Sequence, residues 1–280
     1  MLPHTTHQTL PYITTLLSSP LLASYPLTIL DATYALSPEH PCPAELEDAR
    51  DVYDYVLARP YKWDNNRISF SGNSSGGAIA LGLAVTLGKE AREANQGNAW
   101  VHPVKAVFVC YAMASWIDAG EKNPAFLATL PAENIRGVMP NFVLDTITAA
   151  HFFSPSGSPR KGSAAGEKND QEATEAARKD ALQRSPMVSP ALADLPDFPS
   201  KVGIWTVEWD VMSADADDLR ERLKAHSTDG KGEVSGRMIK GVGHGWDLEV
   251  RKGQVGWEEK EEAYQDLVKA VAWAGGLATE

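Results

Sequence analysis

The 280-residue chain is poor in cysteine and lacks the usual spacing of a metal-binding motif. It contains two cysteines, Cys42 and Cys110, whereas small secreted scaffolds held together by disulfides contain many more. We therefore expect two buried free thiols. His4 and His7 form an isolated H-x-x-H without a nearby carboxylate, so no metal is expected there. The sequence predicts neither a metal nor another cofactor.

Basic residues are also in deficit. The 26 lysines and arginines are outnumbered by 37 aspartates and glutamates, which gives a net charge of −11 and a pI of about 5.1. We do not expect such a chain to bind nucleic acid or an anionic membrane, because phosphate groups require a basic surface.

The first thirty residues contain no Lys, Arg, Asp or Glu. A secretory signal peptide begins with basic residues, so none is predicted here. Pro11, Pro20 and Pro26 interrupt the apolar runs, which argues against a membrane span. A cytoplasmic protein is the expectation that follows.

Strand-like apolar runs alternate with helix-like amphipathic runs, which is typical of an α/β fold with a mostly parallel sheet flanked by helices. We expect a single domain over residues 1–280, long enough to bury a substantial core. The predicted strands cover residues 26–34, 67–72, 104–112 and 201–210, with a further strand and loop in "VSGRMIKGVGHGW". The predicted helices cover residues 43–58, 77–88, 216–225 and 258–274.

Two stretches depart from this alternation. Residues 113–153 are mixed in character, contain the helix-like "FVLDTITAAHFF", and are interpreted as a possible cap over a pocket. Residues 154–183 are rich in Gly, Ser, Ala, Lys and Glu. We interpret them as a low-complexity, partly disordered insertion with a short helix near Gln171 to Leu182.

A G-x-S-x-G motif, Gly72-Asn73-Ser74-Ser75-Gly76, lies between a predicted strand and a predicted helix. This context is typical of a nucleophile elbow, a strained turn that holds a serine at the carboxyl edge of a sheet. We expect positions 72 and 76 to require glycine, because any side chain there would collide with the neighbouring strand and helix. Ser74 is therefore the predicted nucleophile, and the Ser75 backbone N–H is a predicted oxyanion donor at a helix N-terminus.

A serine nucleophile requires a base and an acid that orients the base. In this kind of fold the acid and then the histidine follow the serine along the chain. His244 lies in the glycine loop "GVGHGW" directly after a predicted strand, and Asp210 ends the strand "KVGIWTVEWD". We predict the triad Ser74, Asp210 and His244, with Glu208 as the alternative acid. Other acids in the next helix are explained by capping: Asp215, Asp217 and Asp218.

Several segments resemble the hormone-sensitive-lipase-like and arylacetamide-deacetylase-like branch of the α/β-hydrolases. "YALSPEHPCPAELEDA" is similar to that branch's YRLAPEHPFPAALEDA, and "GNSSGG" is similar to its GDSAGG. "SPMVSPALADLPDFP" with "EWDVMSADADDL" resembles the segment that carries the triad aspartate, and "GVGHGW" resembles the terminal HGF or HGW motif. The resemblance implies an α/β-hydrolase fold and hydrolysis of a small carboxylic ester without metal or cofactor. It also places the triad roles on Ser74, Asp210 and His244.

The chain departs from this pattern in three ways. Ala35 replaces the family's arginine and Asn73 replaces its aspartate. The family's HGGG motif, whose backbone supplies oxyanion donors, is absent and would fall before Met1, together with the strand between those matching "PLTILDATY" and "RISFSG". Two alternatives to an esterase therefore stay open. One is a catalytically impaired or non-catalytic ligand-binding protein on the same fold, and the other is an amidase or deacetylase with the same triad.

Overall fold

A computed structural model describes residues 10–95, 100–117, 141–152, 165–227 and 232–277. Its helices are α1 (Leu10–Ser18), α2 (Ala44–Leu57), α3 (Ser74–Ala94), α4 (Asn141–Phe152), α5 (Ala165–Gln183), α6 (Ser213–His226), α7 (Trp246–Glu249) and α8 (Trp257–Ala274). Its strands are β1 (Ser69–Asn73), β2 (Ala106–Cys110), β3 (Lys201–Trp209), β4 (Glu233–Ser235) and β5 (Met238–Gly243).

The strands form one parallel sheet. β1 pairs with β2 over five positions, from Ser69 opposite Ala106 to Asn73 opposite Cys110. β2 pairs in the same way with the first half of β3. The other side of β3 pairs first with β4 and then, further along, with β5. The predicted mostly parallel sheet flanked by helices is confirmed.

Alternate residues of the central strands pack on opposite faces of the sheet, as expected for strands covered on both sides. Val107 and Ile204 pack against residues of α3 and α6, including Leu81 and Leu219. Phe108, Trp205 and Val207 pack in a second cluster with residues of α1 and α8: Leu16, Leu267 and Val268. This two-sided burial fixes the sheet between two layers of helices.

The expected strand over residues 26–34 is wrong. These residues form no strand or helix, and their side chains are exposed or half-buried. A strand needs a neighbour to pair its backbone groups, and this segment is separated from β1 by a wide cavity. Apolar composition alone therefore did not make it part of the sheet.

The remaining helix predictions are matched: α2 is slightly shorter than expected, whereas α3, α6 and α8 are longer. α4 lies at the end of the possible cap region, where a helix was expected. α5 covers nineteen residues and is longer than the short helix expected within 154–183. Most of the possible cap, residues 118–140, and residues 153–164 lie outside the described residues.

A glycine permits the transition from β4 to β5. Gly236 has φ of 95°, and a Cβ at this position would lie 2.1 Å from the backbone oxygen of Ile204 in β3. The chain here passes so close to β3 that only a hydrogen fits in place of a side chain. Gly241 also has positive φ, 73°, but a Cβ there would meet nothing within 4 Å.

These two glycines separate backbone strain from steric overlap. We expect Gly236→Ala to lower the free energy of unfolding by about 3 kcal/mol, since left-handed strain and overpacking both contribute. Gly241→Ala should cost about 1 kcal/mol, from strain alone. Urea unfolding followed by circular dichroism measures both values. Equal losses in the two variants would contradict the close approach of residue 236 to β3.

Candidate active site

Ser74 occupies a strained corner between β1 and α3. Its φ is 51°, a left-handed value that is unfavourable for a residue with a side chain. A Cβ at Gly72 would lie 2.4 Å from the backbone of Gly76, so the predicted steric need for glycine is confirmed there. The same expectation is wrong for Gly76, where a Cβ would meet nothing within 4 Å. Gly77 is the second crowded position, 2.7 Å from the Cβ of Ala112.

Asp210 is the first residue after β3, and its carboxylate is buried. Oδ1 accepts a hydrogen bond of 3.0 Å from the backbone N–H of Met212, and Oδ2 lies 2.7 Å from Nδ1 of His244. The backbone contact fixes one carboxylate oxygen and leaves the other directed at the imidazole. Asp210 is thus held in one orientation by its own turn.

His244 is the first residue after β5 and connects the other two predicted residues. Its Nε2 lies 2.8 Å from Oγ of Ser74, while its Nδ1 faces Asp210. Gly245 follows with φ of 70°, which turns the chain sharply into α7. The three predicted side chains therefore form one continuous hydrogen-bonded series at the carboxyl edge of the sheet.

The alternative acids make other contacts. Glu208 accepts hydrogen bonds from the Gly241 N–H at 2.9 Å and from Lys240 at 3.1 Å. The backbone hydrogen bond from Gly241, aided by Lys240, holds the pKa of Glu208 below its usual value. Asp217 binds Thr206 and Arg220.

The other histidines in the described residues lie elsewhere. Nε2 of His102 lies 3.2 Å from the carbonyl oxygen of Ala84 in α3 and 3.1 Å from that of Asp197, and burial lowers the pKa of His102. His151 stacks on Trp116, His226 ends α6, and His40 is exposed. His4 and His7 lie outside the described residues.

Tyr111 is a site residue that the sequence reasoning missed. It is the first residue after β2, has φ of 41°, and its ring centroid lies 4.8 Å from that of His244. Its hydroxyl donates a 2.8 Å hydrogen bond to the buried carboxylate of Asp247, which also accepts one from Tyr264. Burial, together with the nearby Asp247 carboxylate, raises the pKa of Tyr111 well above its usual value. Tyr111 lies at the end of an apolar run, as Asp210 does, and this position in the sequence could have identified it.

A cavity of about 1010 Å³ opens in front of Ser74 and His244. The extended segment 26–34 forms one wall, and β1 with the start of α3 forms the other. Ser75 lies in this wall, where its Oγ is 2.8 Å from the hydroxyl of Tyr34. Because Ser75 is in the first turn of α3, its backbone N–H has no acceptor within the helix.

None of the helices in the described ranges combines the length and apolar character that crossing a membrane requires.

Solved structures of esterases resemble this chain in fold. A carboxyl esterase 2 from the fungus Tuber melanosporum aligns with a TM-score of 0.58 and 16% identity, over 95% of this chain and 71% of the esterase. An esterase from Pyrobaculum calidifontis aligns with a TM-score of 0.56 and 21% identity, over 88% of this chain and 65% of the esterase. A bacterial heroin esterase aligns with a TM-score of 0.56 and 19% identity, over 89% of this chain and 64% of the esterase. The chain thus spans about two thirds of the length of these esterases.

The sequence itself points to the same family. No curated protein matches the chain by sequence. A family model described as the alpha/beta hydrolase fold matches residues 17–155, which include the G-x-S-x-G corner. The structural neighbours are esterases that share this fold at low identity. The chain has the α/β-hydrolase fold.

Proposed function

We propose that this protein is a serine hydrolase that cleaves carboxylic esters through an acyl-enzyme, with Ser74, His244 and Asp210 as its catalytic triad. The observation that supports this most strongly is the hydrogen-bonded series of 2.8 Å from Ser74 to His244 and 2.7 Å from His244 to Asp210. A nucleophile, a base and an orienting acid in this order are what acyl transfer requires.

Acylation begins with proton transfer from Ser74 to His244. Asp210 accepts the Nδ1–H of His244, which leaves Nε2 free to take the hydroxyl proton as Oγ attacks the ester carbonyl. The imidazolium that forms is stabilised by the buried Asp210 carboxylate. His244 then gives its proton to the departing alcohol, and the acyl group stays on Ser74.

The oxyanion of the tetrahedral intermediate lies near the start of α3. The Ser75 N–H is the proposed donor, since it is at the helix N-terminus beside the nucleophile. Water, deprotonated by His244, then attacks the acyl-enzyme and releases the acid. Each further oxyanion donor that the site lacks would lower the rate by about 10²–10³-fold.

The substrate class follows from the cavity wall. Apolar side chains of β1 and α3 line it near the nucleophile, among them Phe70, Ile79 and Leu83. An apolar acyl or alcohol group fits this lining, because burial of its surface is favourable there. We therefore propose uncharged esters with an apolar moiety as substrates.

A ligand-binding protein without turnover is the second candidate, and the cavity supports it. Its volume of about 1010 Å³ is at the upper end of ordinary ligand sites. An amidase or deacetylase would use the same triad on a different carbonyl compound. A covalent probe separates binding from catalysis, and comparison of ester with amide substrates separates the two reactions.

The first test is labelling with a fluorophosphonate, which reacts with activated serines. We expect one label per chain, mapped by mass spectrometry to Ser74 and not to its neighbour Ser75. Ser74→Ala and His244→Ala should each abolish labelling and lower kcat/KM for a short-chain aryl ester by about 10⁴-fold or more. Ser200→Ala, at an exposed serine just before β3 that does not line the cavity, is the control and should behave as wild type.

Circular dichroism on the same samples shows whether each variant is folded. Full labelling of folded Ser74→Ala would overturn the assignment of the nucleophile. A folded wild-type chain that is not labelled would favour the binding protein.

A second test distinguishes the two candidate acids. Asp210→Asn should lower kcat by about 10⁴-fold, because the amide no longer stabilises the required tautomer and charge of His244. Glu208→Gln should leave kcat within a few fold, since Glu208 contacts Lys240 and Gly241 and not the imidazole. Steady-state kinetics on folded variants measures both effects. The reverse pattern would assign the acid role to Glu208.

A further inference from the structure

Three side chains with metal-binding atoms, two of them buried and one half-buried, meet outside the triad. The thiol of Cys42, the carboxylate of Glu45 and a ring nitrogen of His151 all lie within 4.8 Å of one another. Nε2 of His151 is 3.5 Å from Oε1 of Glu45. Cys42 and Glu45 are almost inaccessible to solvent, at 1% and 6% relative exposure. We call these three residues the Cys-Glu-His cluster.

The backbone holds the cluster together across distant parts of the chain. The N–H of Cys42, just before α2, donates a 2.8 Å hydrogen bond to the carbonyl of His151 near the end of α4. Arg178 of α5 donates to the carbonyl oxygens of Cys42 and Phe152, at 3.4 Å and 2.5 Å. The ring of His151 stacks on Trp116 at 4.3 Å and 7° between planes. The donor atoms are therefore positioned by contacts that do not involve the donors themselves.

In the part of the chain that the structure describes, no lysine or arginine accompanies the buried carboxylate of Glu45. The carboxylate of Glu45 instead accepts hydrogen bonds from its own backbone N–H and from the Cys42 thiol, and it lies beside the imidazole of His151. A buried carboxylate without a cationic partner is costly, and a bound cation would offset that cost.

We propose that the Cys-Glu-His cluster is a binding site for a zinc-class divalent cation, with Cys42 Sγ, a Glu45 oxygen and a His151 ring nitrogen as protein ligands. Ligand bonds of about 2.0–2.3 Å in a tetrahedral site place the donors about 3.5 Å apart, so only a small contraction of the cluster is needed. Binding displaces the thiol proton and any proton on Glu45 to solvent, and a water completes the coordination.

Such an ion would join the start of α2 to the end of α4. The surrounding apolar cluster also contains Val211 and Met212, the two residues after Asp210. The ion would thus stabilise the helix of the possible cap against the part of the core that carries the proposed acid. The site doesn't depend on the proposed hydrolysis, and its test needs no turnover.

Co²⁺ is the probe for the first test, because a thiolate bound to Co²⁺ gives a charge-transfer band in the near ultraviolet and so shows directly that a cysteine is a ligand. The chain has two cysteines, so variants assign the band. We expect metal-free, phosphine-reduced protein to bind one Co²⁺ with this band, and Zn²⁺ to displace it. Cys42→Ser should abolish the band and weaken Zn²⁺ binding by about 100-fold in calorimetry. Cys110→Ala, at the other cysteine, should retain both.

Two further variants keep both cysteines and show whether a loss of metal binding comes from loss of a ligand or from misfolding. Glu45→Gln and His151→Gln should each weaken Zn²⁺ binding, while circular dichroism without metal stays like wild type. Zn²⁺ should raise the unfolding temperature of wild type by about 5 °C and leave that of Cys42→Ser unchanged. A wild-type chain without a thiolate band, or a band that survives Cys42→Ser, would overturn the proposal. So would equal Zn²⁺ affinity in all variants.

Discussion

The parallel pairing of β1, β2, β3 and β5 is the constraint on which the candidate site depends. Parallel strands end at the same edge of a sheet, so the residue that follows each one is delivered to a common surface. Here those residues are Ser74, Tyr111, Asp210 and His244. Ser74 and His244 are 170 positions apart in the chain, yet Oγ of Ser74 lies 2.8 Å from Nε2 of His244. They meet because the strands that precede them, β1 and β5, belong to the same hydrogen-bonded sheet.

Backbone strain is concentrated at the same edge. In the described part of the chain, the non-glycine residues with positive φ are Ser74 and Tyr111, which follow the neighbouring strands β1 and β2. Such conformations cost about 1–3 kcal/mol each and persist only where the surroundings impose them. The packing of Gly72 on Gly76 and of Gly77 on Ala112 provides that support for the serine corner. The rigid sheet thus holds Ser74 towards the cavity instead of letting it relax into the helix.

Much of the fold and of the candidate site could be predicted from the sequence, because the signals are local. A serine flanked by glycines after an apolar run indicates the end of a strand. An aspartate or a histidine directly after an apolar run indicates the same. The prediction failed where partners decide the outcome. Residues 26–34 have the composition of a strand but no adjacent strand with which to pair. Gly76 belongs to the G-x-S-x-G motif and Gly77 does not, yet it is Gly77 that the side chain of Ala112 approaches closely. Cys42 and His151 have no informative spacing in the chain.

The buried carboxylates show why the Cys-Glu-His cluster differs from the rest of the interior. Burial of a carboxylate is costly unless strong donors replace water. Asp197 receives the guanidinium of Arg92, Asp210 receives a backbone N–H and the imidazole of His244, and Asp247 receives two tyrosine hydroxyls. Glu45 has only its own backbone N–H and a thiol, which is a weak donor, together with an imidazole nitrogen at 3.5 Å, among the described residues. A bound cation would compensate Glu45 as a guanidinium compensates Asp197, and it would use the thiol and imidazole as the soft ligands that zinc prefers.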